Sequence, residues 1–252
     1  MSRKAALVTG AARRIGRAIA ERLAGAGYDL AIHASEATRA EAETLAAHLR
    51  EQGRRAVVIA AELADAEQPA RIVEAATAAL GPLSVLVNNA SIFEHDAAEA
   101  IDAALFDKLV AINLRAPLLL AQHFAAQVPE GTDAAIVNLV DQRVLRPTPQ
   151  FFSYSISKSA LWWATQTLAQ AYAPRQIRVN AIGPGPVLPN TPQGDAAFEK
   201  EVGGVLLQRA VHVEEIADAV LYLVEAKSVT GQMIAVDAGQ HLAWQTPDIS
   251  EA

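Results

Sequence analysis

Short apolar runs alternate with longer segments of helical periodicity along the 252 residues of the chain. The apolar runs end at polar or glycine residues and are apolar on both faces, which is typical of strands buried in a parallel sheet. Seven runs predict strands, at 5–9, 30–33, 56–60, 85–88, 135–140, 178–182 and 233–236.

Helical patterns separate these strands, near 16–26, 37–52, 68–80, 103–127, 153–173 and 213–226. Strand-helix alternation throughout the chain predicts right-handed crossovers and a doubly wound sheet. No linker or internal repeat divides the sequence. We therefore expect an α/β fold with a single Rossmann-type domain over residues 1–252, in which helices flank a seven-stranded parallel sheet.

One stretch escapes the alternation. Residues 183–194 are dense in glycine and proline, and we expect the irregular region to reach about residue 205. A connection this long in a compact domain is usually functional, often as a lid. We interpret about 184–212 as a substrate loop; the alternative is a disordered surface loop.

Composition narrows the function classes. Hydrophobic residues make up 52% and charged residues 19%, and the net charge of −7 comes without a basic run, so we expect neither a disordered chain nor a nucleic-acid partner. There is no cysteine, and the six histidines lack metal-ligand spacing. The apolar runs are too short for a signal peptide or a membrane span, so we expect no membrane partner and a cytoplasmic location.

The turn after the first strand carries Gly10 and Gly16 and opens a helix. Backbone N–H groups and the helix dipole at such a junction bind pyrophosphate. Arg14 stands where the usual fingerprint has its middle glycine, and its side chain can point into a cofactor cleft. The alternative is a solvated arginine at a helix start.

The end of the second strand distinguishes NAD from NADP. An NAD site usually has a carboxylate there for the ribose 2′-hydroxyl. Here Ser35 and Arg39, joined by Arg13, could meet a 2′-phosphate, which favours NADP(H) as the cofactor. Glu36 lies close enough to leave NAD as the alternative.

Tyr154 and Lys158 stand four residues apart, so on a helix they share one face. An ammonium group beside a phenol favours the phenolate, so we expect Lys158 to lower the pKa of Tyr154, a candidate proton donor. Asp141 adds a carboxylate thirteen residues upstream of Tyr154. The alternatives are an ordinary surface pair for Tyr154 and Lys158, and a strand-end cap beside Arg143 for Asp141.

Six motifs in order resemble the short-chain dehydrogenase/reductase family over about residues 4–242: the Gly10–Gly16 turn, 88–90, Asn113, Tyr154 with Lys158, 184–185 and 236–239. Glu62 replaces an aspartate that commonly contacts adenine, and Ala238 interrupts the usual Asp-Gly-Gly. The segment 186–212 shows no convincing match.

Within that family the chain resembles the pteridine reductases and the related dihydromonapterin reductases. Arg14 replaces a glycine, Asp141 replaces the usual catalytic serine, and Ser91 and Phe93 follow the 88–90 motif. The resemblance implies that Phe93 stacks on a pterin and that Ser91 and Arg14 contact the pterin or the cofactor phosphates. Simple core filling is the alternative for Phe93.

The resemblance also implies the remaining roles. Tyr154, Lys158 and Asp141 would be catalytic, with Asn113 supporting a water relay to Lys158. Arg14, Ser91, Phe93, Asp141 and Tyr154 would contact the substrate. The cofactor would be held by Gly10, Arg13, Arg14, Ile15, Gly16, His33, Ser35, Glu62, Asn89, Ala90, Tyr154, Lys158, Pro184 and Gly185.

An ionised aspartate would repel the oxyanion that develops during ketone reduction, where a serine would donate a hydrogen bond. Asp141 must therefore be protonated, or the substrate must offer a nitrogen donor. We expect an NADPH-dependent oxidoreductase acting on pterins, with a carbonyl reductase of 3-oxoacyl thioesters or a silent NADP(H) sensor as alternatives. The resemblance implies a homotetramer, with the helices near 103–127 and 153–173 at an interface.

Overall fold

The computed structural model describes residues 4–189 and 194–244. Seven strands form one parallel sheet in the order β3-β2-β1-β4-β5-β6-β7. The strands are β1 (Ala5–Val8), β2 (Asp29–Ala34), β3 (Ala56–Ala60), β4 (Val85–Asn88), β5 (Ala134–Leu139), β6 (Ile177–Pro184) and β7 (Met233–Val236). The predicted doubly wound α/β fold is confirmed, and each predicted strand lies within two residues of the observed one.

Helices cover both faces of the sheet. They are α1 (Arg14–Gly25), α2 (Arg39–Glu51), α3 (Gln68–Leu80), α4 (Ala103–Val110), α5 (Ala116–Gln127), α6 (Phe152–Tyr172), α7 (Gly194–Gly203) and α8 (Val213–Glu225). One core lies between the sheet and α1, α2 and α8, and a second lies between the sheet and α3, α5 and the end of α6.

The strands are apolar on both faces because each face has its own core. In β1, Ala6 and Val8 belong to one core, whereas Ala5 and Leu7 belong to the other. All four residues are fully buried. Burying a leucine or valine side chain contributes about 1.5–3 kcal/mol, so both layers hold the sheet.

The helix predicted over 103–127 is interrupted. A π-helical turn, Ala111–Arg115, separates α4 from α5. Pro117 has no N–H to donate to the carbonyl group of Asn113, so regular α-helical pairing fails at this point. A π turn inside a helix is frequent at functional sites, and this one carries Asn113.

The irregular region predicted to reach residue 205 contains a helix, so that prediction is wrong in part. Helix α7 begins at Gly194 and ends at Gly203. The glycine- and proline-dense stretch before it predicted a loop, but the residues after Gly194 include alanine, glutamate and lysine, which favour a helix. Residues 190–193 of the turn-rich stretch lie outside the described residues.

The strand order reverses between β1 and β4, and their carboxyl ends open at the same edge of the sheet. In open α/β sheets, ligands bind in the crevice outside such a reversal. In residues 4–189 and 194–244, no helix is both long and apolar enough to cross a bilayer.

Candidate active site

A cleft of about 740 Å³ lies at this edge of the sheet. It gathers nearly all of the predicted site residues, although they are spread over most of the chain. The predicted residues in its lining are Gly10, Arg13, Arg14, Ile15, Gly16, His33, Ser35, Glu62, Asn89, Ala90, Ser91, Phe93, Asp141, Tyr154, Lys158, Pro184 and Gly185. Neither Asn113 nor Arg39 belongs to the described lining.

The turn between β1 and α1 is fixed by neighbouring backbone and by Asn89. The Asn89 amide group donates to the carbonyl groups of Thr9 and Gly10, at 2.8 and 3.1 Å. A Cβ atom on Gly16 would stand 2.2 Å from the Gly10 oxygen, so only glycine fits there. Gly10 has a φ of 61°, in the region that glycine favours.

Arg14 also has a left-handed φ, 53°, a region that the glycine of the usual fingerprint would adopt without strain. Its guanidinium group donates to the Leu188 carbonyl oxygen at 3.4 Å and lines the cleft. Burial, and then the charge of Arg13, lower the pKa of Arg14. The side chain therefore crosses the cleft from the start of α1 to the segment after β6.

His33 uses both ring nitrogens inside the protein. Nδ1 accepts a hydrogen bond from the Gly10 N–H at 3.2 Å, and Nε2 lies 3.2 Å from the Ala61 carbonyl oxygen. This pattern requires a neutral ring with its proton on Nε2. Burial lowers the pKa of His33 to about 4, which agrees with a neutral ring. His33 thus joins the turn after β1 to the end of β3.

The residues that could meet a 2′-phosphate are only partly gathered. Arg13, Ser35 and Thr38 line the cleft, and the hydroxyl oxygens of Ser35 and Thr38 are 3.3 Å apart. Arg39 instead approaches Glu36, at 3.5 Å, and both side chains are more than half exposed. The Glu36 N–H donates to the Glu62 carboxylate, which does line the cleft.

Tyr154, Asp141 and Lys158 meet at the middle of the cleft. The Tyr154 hydroxyl group donates to Asp141 Oδ2 at 3.0 Å. The Lys158 ammonium group donates to the Leu139 carbonyl oxygen at 2.7 Å, and its Nζ lies 5.8 Å from the centre of the Tyr154 ring. All three residues are buried. They are positioned by α6 and by the end of β5.

The expectation that Lys158 lowers the pKa of Tyr154 is wrong. Burial, then the Asp141 charge and its hydrogen bond, raise the pKa of Tyr154 well above its ordinary value, and Arg143 only partly offsets them. Burial also lowers the pKa of Lys158 to about 8, although Asp141 opposes that shift. Tyr154 is therefore a protonated phenol at neutral pH.

Asp141 is both a cap and a partner of Tyr154. Its Oδ1 accepts from the Arg143 N–H at 2.8 Å, at the start of a short 3-10 turn. Its Oδ2 accepts from the Arg143 guanidinium group at 3.2 Å as well as from Tyr154. The cap described as an alternative is thus present, and the same contacts aim the carboxylate at the phenol.

Phe93 is part of an aromatic cluster. Its ring stacks on Phe151 with centres 4.2 Å apart, and it meets the Tyr154 ring edge-on at 4.7 Å. The Arg143 guanidinium carbon lies 5.5 Å from the centre of Phe93 and 5.4 Å from that of Phe151. Phe151 covers one face of Phe93, so a flat ligand must use the other face or displace Phe151.

Asn113 lies behind this cluster. Its Oδ1 accepts from the Ser91 hydroxyl group and the Ile92 N–H, at 3.1 and 3.0 Å. Its amide group donates to the Ile92 carbonyl oxygen and to Ser157 Oγ, at 3.0 and 3.2 Å. These contacts tie the π turn to the segment after β4 and to α6.

The far wall follows β6. A Cβ atom on Gly185 would stand 2.6 Å from Asp237 Cα, so the chain approaches β7 closely at this point. Phe198 and Glu201 of α7 also line the cleft. Neither was predicted from the sequence, and nor was Phe151, while Arg143 was named only as the neighbour of a possible Asp141 cap. The sequence signal for Arg143 and Phe151 was their nearness to Asp141 and Tyr154. Among the described residues, no cluster of His, Asp and Glu is arranged to hold a metal ion.

Comparisons with known proteins agree with this architecture. A family model described as "Enoyl-(Acyl carrier protein) reductase" matches residues 10–241. "Pteridine reductase 1" from Leishmania tarentolae is 34% identical, covering 94% of this chain and 96% of its own. "3-oxoacyl-[acyl-carrier-protein] reductase FabG" from Staphylococcus aureus is 30% identical, covering 95% and 98%.

A solved structure is more similar still. "FolM Alternative dihydrofolate reductase 1" from Brucella canis, complexed with NADP, is 48% identical with a TM-score of 0.93, and the match covers 98% of each chain. "Short-chain type dehydrogenase/reductase" from Picea abies is 32% identical over 94% of this chain and 92% of its own. The chain belongs to the short-chain dehydrogenase/reductase family of oxidoreductases.

Proposed function

We propose that this protein is an NADPH-dependent pteridine reductase that acts on dihydrobiopterin- and dihydrofolate-type substrates and on oxidised pterins. The observation that carries the proposal is the 3.0 Å hydrogen bond from the Tyr154 hydroxyl group to Asp141. The similarity to the Leishmania pteridine reductase and the Brucella alternative dihydrofolate reductase supports it.

The cleft fits NADP(H). Among the described residues, α1 begins without a side-chain cap and without an acidic residue in its first turn, which leaves its first N–H groups and its positive dipole end available to an anion. Arg13, Ser35 and Thr38 would contact the 2′-phosphate, and Glu36, which would favour NAD, points instead to Arg39. The NADP complex of the Brucella relative supports the same choice.

The other proposed cofactor contacts follow the cleft. Gly10, Arg14, Ile15 and Gly16 would surround the pyrophosphate, and Glu62 would accept a hydrogen bond from adenine. Asn89, Ala90, Pro184, Gly185 and Lys158 would line the nicotinamide end. The His33 side chain would act indirectly, by holding the Gly10 turn.

When bound, NADPH supplies a hydride to a ring carbon of the pterin. Tyr154 gives its proton to the neighbouring ring nitrogen. A buried phenolate beside the Asp141 carboxylate is strongly disfavoured, so a proton from solvent has to replace it, and Asp141 would pass that proton to the phenol directly or through water. Asp141 is a carboxylate paired with Arg143 before and after the transfer.

The substrate contacts follow from the same groups. A pterin is flat and rich in donors, so it needs a stacking aromatic ring and polar partners. Phe93 and Arg143 would form the stacking wall, while Ser91 and Arg14 would contact the polar edge. Asn113 would keep Ser91 and α6 in place. We propose residues 184–212 as the substrate loop of a single reductase domain.

A carbonyl reductase of 3-oxoacyl thioesters is the second candidate, favoured by the 30% identity to FabG. The carboxylate of Asp141 opposes it, because negative charge beside a developing oxyanion raises the barrier. A silent sensor would need no proton donor, and the aligned Tyr154 and Asp141 argue against that function.

We also propose that the protein is a cytoplasmic homotetramer. The absence of cysteine agrees with a reducing compartment. Helix α6 carries Trp163, whose surface is 70% exposed, and Ile156, at 40%. These two side chains stand seven residues apart and so share one face of the helix, which fits an interface between subunits. Sedimentation of the purified protein tests the assembly.

A substrate panel tests the proposed function. The purified protein with NADPH is offered dihydrobiopterin, dihydrofolate, biopterin and acetoacetyl thioester in parallel, and loss of nicotinamide absorbance is followed. We expect turnover of at least one pterin and little of the thioester. Turnover of the thioester with none of the pterins would refute the proposal.

A further inference from the structure

Helix α6 carries Tyr154 and Lys158 but does not cap its own start. Its N-cap residue, Phe151, has a φ of 56° and, among the described residues, makes no side-chain cap hydrogen bond. The first amide groups of any helix need partners from outside the helical ladder. Here the partners come from the segment after β4, more than fifty residues earlier in the chain.

Asp96 supplies these partners. Its carboxylate accepts hydrogen bonds from the Ser153 N–H, at 3.0 Å, and from the Ser153 hydroxyl group. Its carbonyl oxygen accepts from the amides of Phe151 and Phe152, at 3.1 and 3.4 Å. Asp96 and Ser153 are both buried, so water does not compete for these bonds.

Two parts of the site are joined by this contact. Ser153 immediately precedes the proposed proton donor, Tyr154, and Asp96 lies three residues after the proposed stacking ring, Phe93. The rings of Phe93 and Tyr154 already touch, with centres 4.7 Å apart. A shift of the segment around Asp96 would therefore move the stacking wall and the start of α6 together.

We propose that Asp96 is a positioning residue, which caps α6 from outside the helix and holds Tyr154 against Asp141 and Phe93. The inference rests on the proposed role of Tyr154 as proton donor. Misplacement of a reacting group by about 1 Å can cost about a hundredfold in rate, so loss of the cap should reduce turnover.

The chain offers a matched control. Asp102 caps α4 in the ordinary way, accepting from the N–H groups of Ala104 and Leu105 at 2.8 and 3.3 Å. Asp96→Ala and Asp102→Ala each remove a helix cap, but only the first cap precedes Tyr154. Asp96→Asn keeps an acceptor for the Ser153 amide, and Ser153→Ala removes the hydroxyl bond alone.

The test compares these variants with the native enzyme in the presence of NADPH. Hydrogen exchange is measured over residues 151–158, together with kcat, KM and the Kd of NADPH. The substrate is whichever of dihydrobiopterin and acetoacetyl thioester the native enzyme reduces faster, so the result for Asp96 does not depend on the identity of the substrate.

For Asp96→Ala we expect faster exchange at the start of α6 and a kcat lowered by about tenfold or more. The Kd of NADPH for Asp96→Ala should stay within about twofold of the native value. The kcat of Asp102→Ala should also stay within about twofold of native. Asp96→Asn should recover most of kcat. If Asp96→Ala does not fold, Ser153→Ala carries the test, with faster exchange and a lower kcat than native expected. Unchanged exchange or native kcat in Asp96→Ala, or in Ser153→Ala where it replaces it, would overturn the inference, whereas failure of every pterin would refute only the proposed function.

Discussion

The two ends of the cleft are built in different ways. At the phosphate end, glycines and backbone groups close a turn between neighbouring segments, and the fixed side chains, Asn89 and His33, serve that turn. At the proton-donor end, side chains of Asp141, Arg143 and Tyr154 contact one another directly. Cofactor binding should therefore tolerate side-chain changes that turnover does not.

Tyr154→Phe should have the largest effect and should separate the two ends most clearly. Removing the proposed proton donor should lower kcat by about 10²–10⁴-fold, the usual contribution of general acid catalysis. The NADPH Kd should change by no more than about twofold, because the backbone turn is untouched. Tyr172→Phe, near the other end of the same helix, is the control, and equal losses in both variants would contradict the assignment.

Arg14→Gly tests the phosphate end, because Arg14 is the charged side chain that lines the cleft beside the backbone turn. Loss of its charged contacts should reduce kcat/KM for the pterin by about 10–100-fold, as expected for a charge-assisted hydrogen bond. The folded protein should become more stable, because glycine relieves the φ of 53°. Stopped-flow NADPH binding and steady-state kinetics separate a cofactor contact from a substrate contact.

Ala238→Gly is the matched control for Arg14→Gly. Ala238 also has a φ of 53°, yet it lies outside the described lining of the cleft. Glycine there should raise stability by about 1 kcal/mol or less, since relief of strain is partly offset by unfolded-state entropy. Its kcat/KM should equal that of the native enzyme. If kcat/KM falls as far as in Arg14→Gly, the change in backbone conformation, and not the arginine side chain, would be the cause in both variants.

Arg143→Gln should lower kcat as well, by less than Tyr154→Phe does. Arg143 lowers the pKa of Tyr154 and so partly offsets burial and Asp141. Without it the phenol releases its proton less readily, and kcat should fall by about tenfold. Arg146→Gln, which removes an exposed contact to the Gln240 carbonyl group, should retain native kcat; an equal fall in both variants would refute a specific role.

The shifted pKa of His33 should make the stability of the folded protein depend on pH. Its folded pKa, about 4, lies below the value of about 6.5 in the unfolded chain, so the unfolded state binds the proton first. The stabilisation is complete above about pH 6.5 and is lost as pH falls toward 4, by up to about 3 kcal/mol. Thermal melting from pH 7 to 4.5 should show a steeper fall for native protein and His48→Gln than for His33→Asn; parallel curves would contradict this origin.

The phosphate end and the sheet could be predicted because their signals are local. Gly10 and Gly16 lie in one turn, and each strand shows its burial in its own residues. The interruption at 111–115 had a local signal in Pro117, which the apolar periodicity concealed. Helix α7 was missed because the irregular region was extended from the glycine- and proline-dense stretch at 183–194 to about residue 205, over the helix formers that follow Gly194.

The proton-donor end could be predicted only in its residues, not in its contacts. Asp96 reaches Ser153 across fifty-seven positions, and such pairing leaves no periodic trace. Arg143 lies over Phe93 only because β4 and β5 are neighbours in the sheet. The direction of the Tyr154 pKa shift was predicted wrongly because burial and Asp141 raise this pKa and outweigh Arg143, and burial is a property of the fold.

Asp141→Ser tests whether the proposed reduction of pterins depends on Asp141. The variant carries the serine usual in the family, and its phosphate end remains intact. With dihydrobiopterin and acetoacetyl thioester assayed side by side, we predict that kcat/KM for the pterin falls by about a hundredfold or more. Thioester reduction should rise above that of the native enzyme. If Asp141→Ser keeps the native kcat/KM for the pterin and shows no gain on the thioester, Asp141 does not determine the substrate.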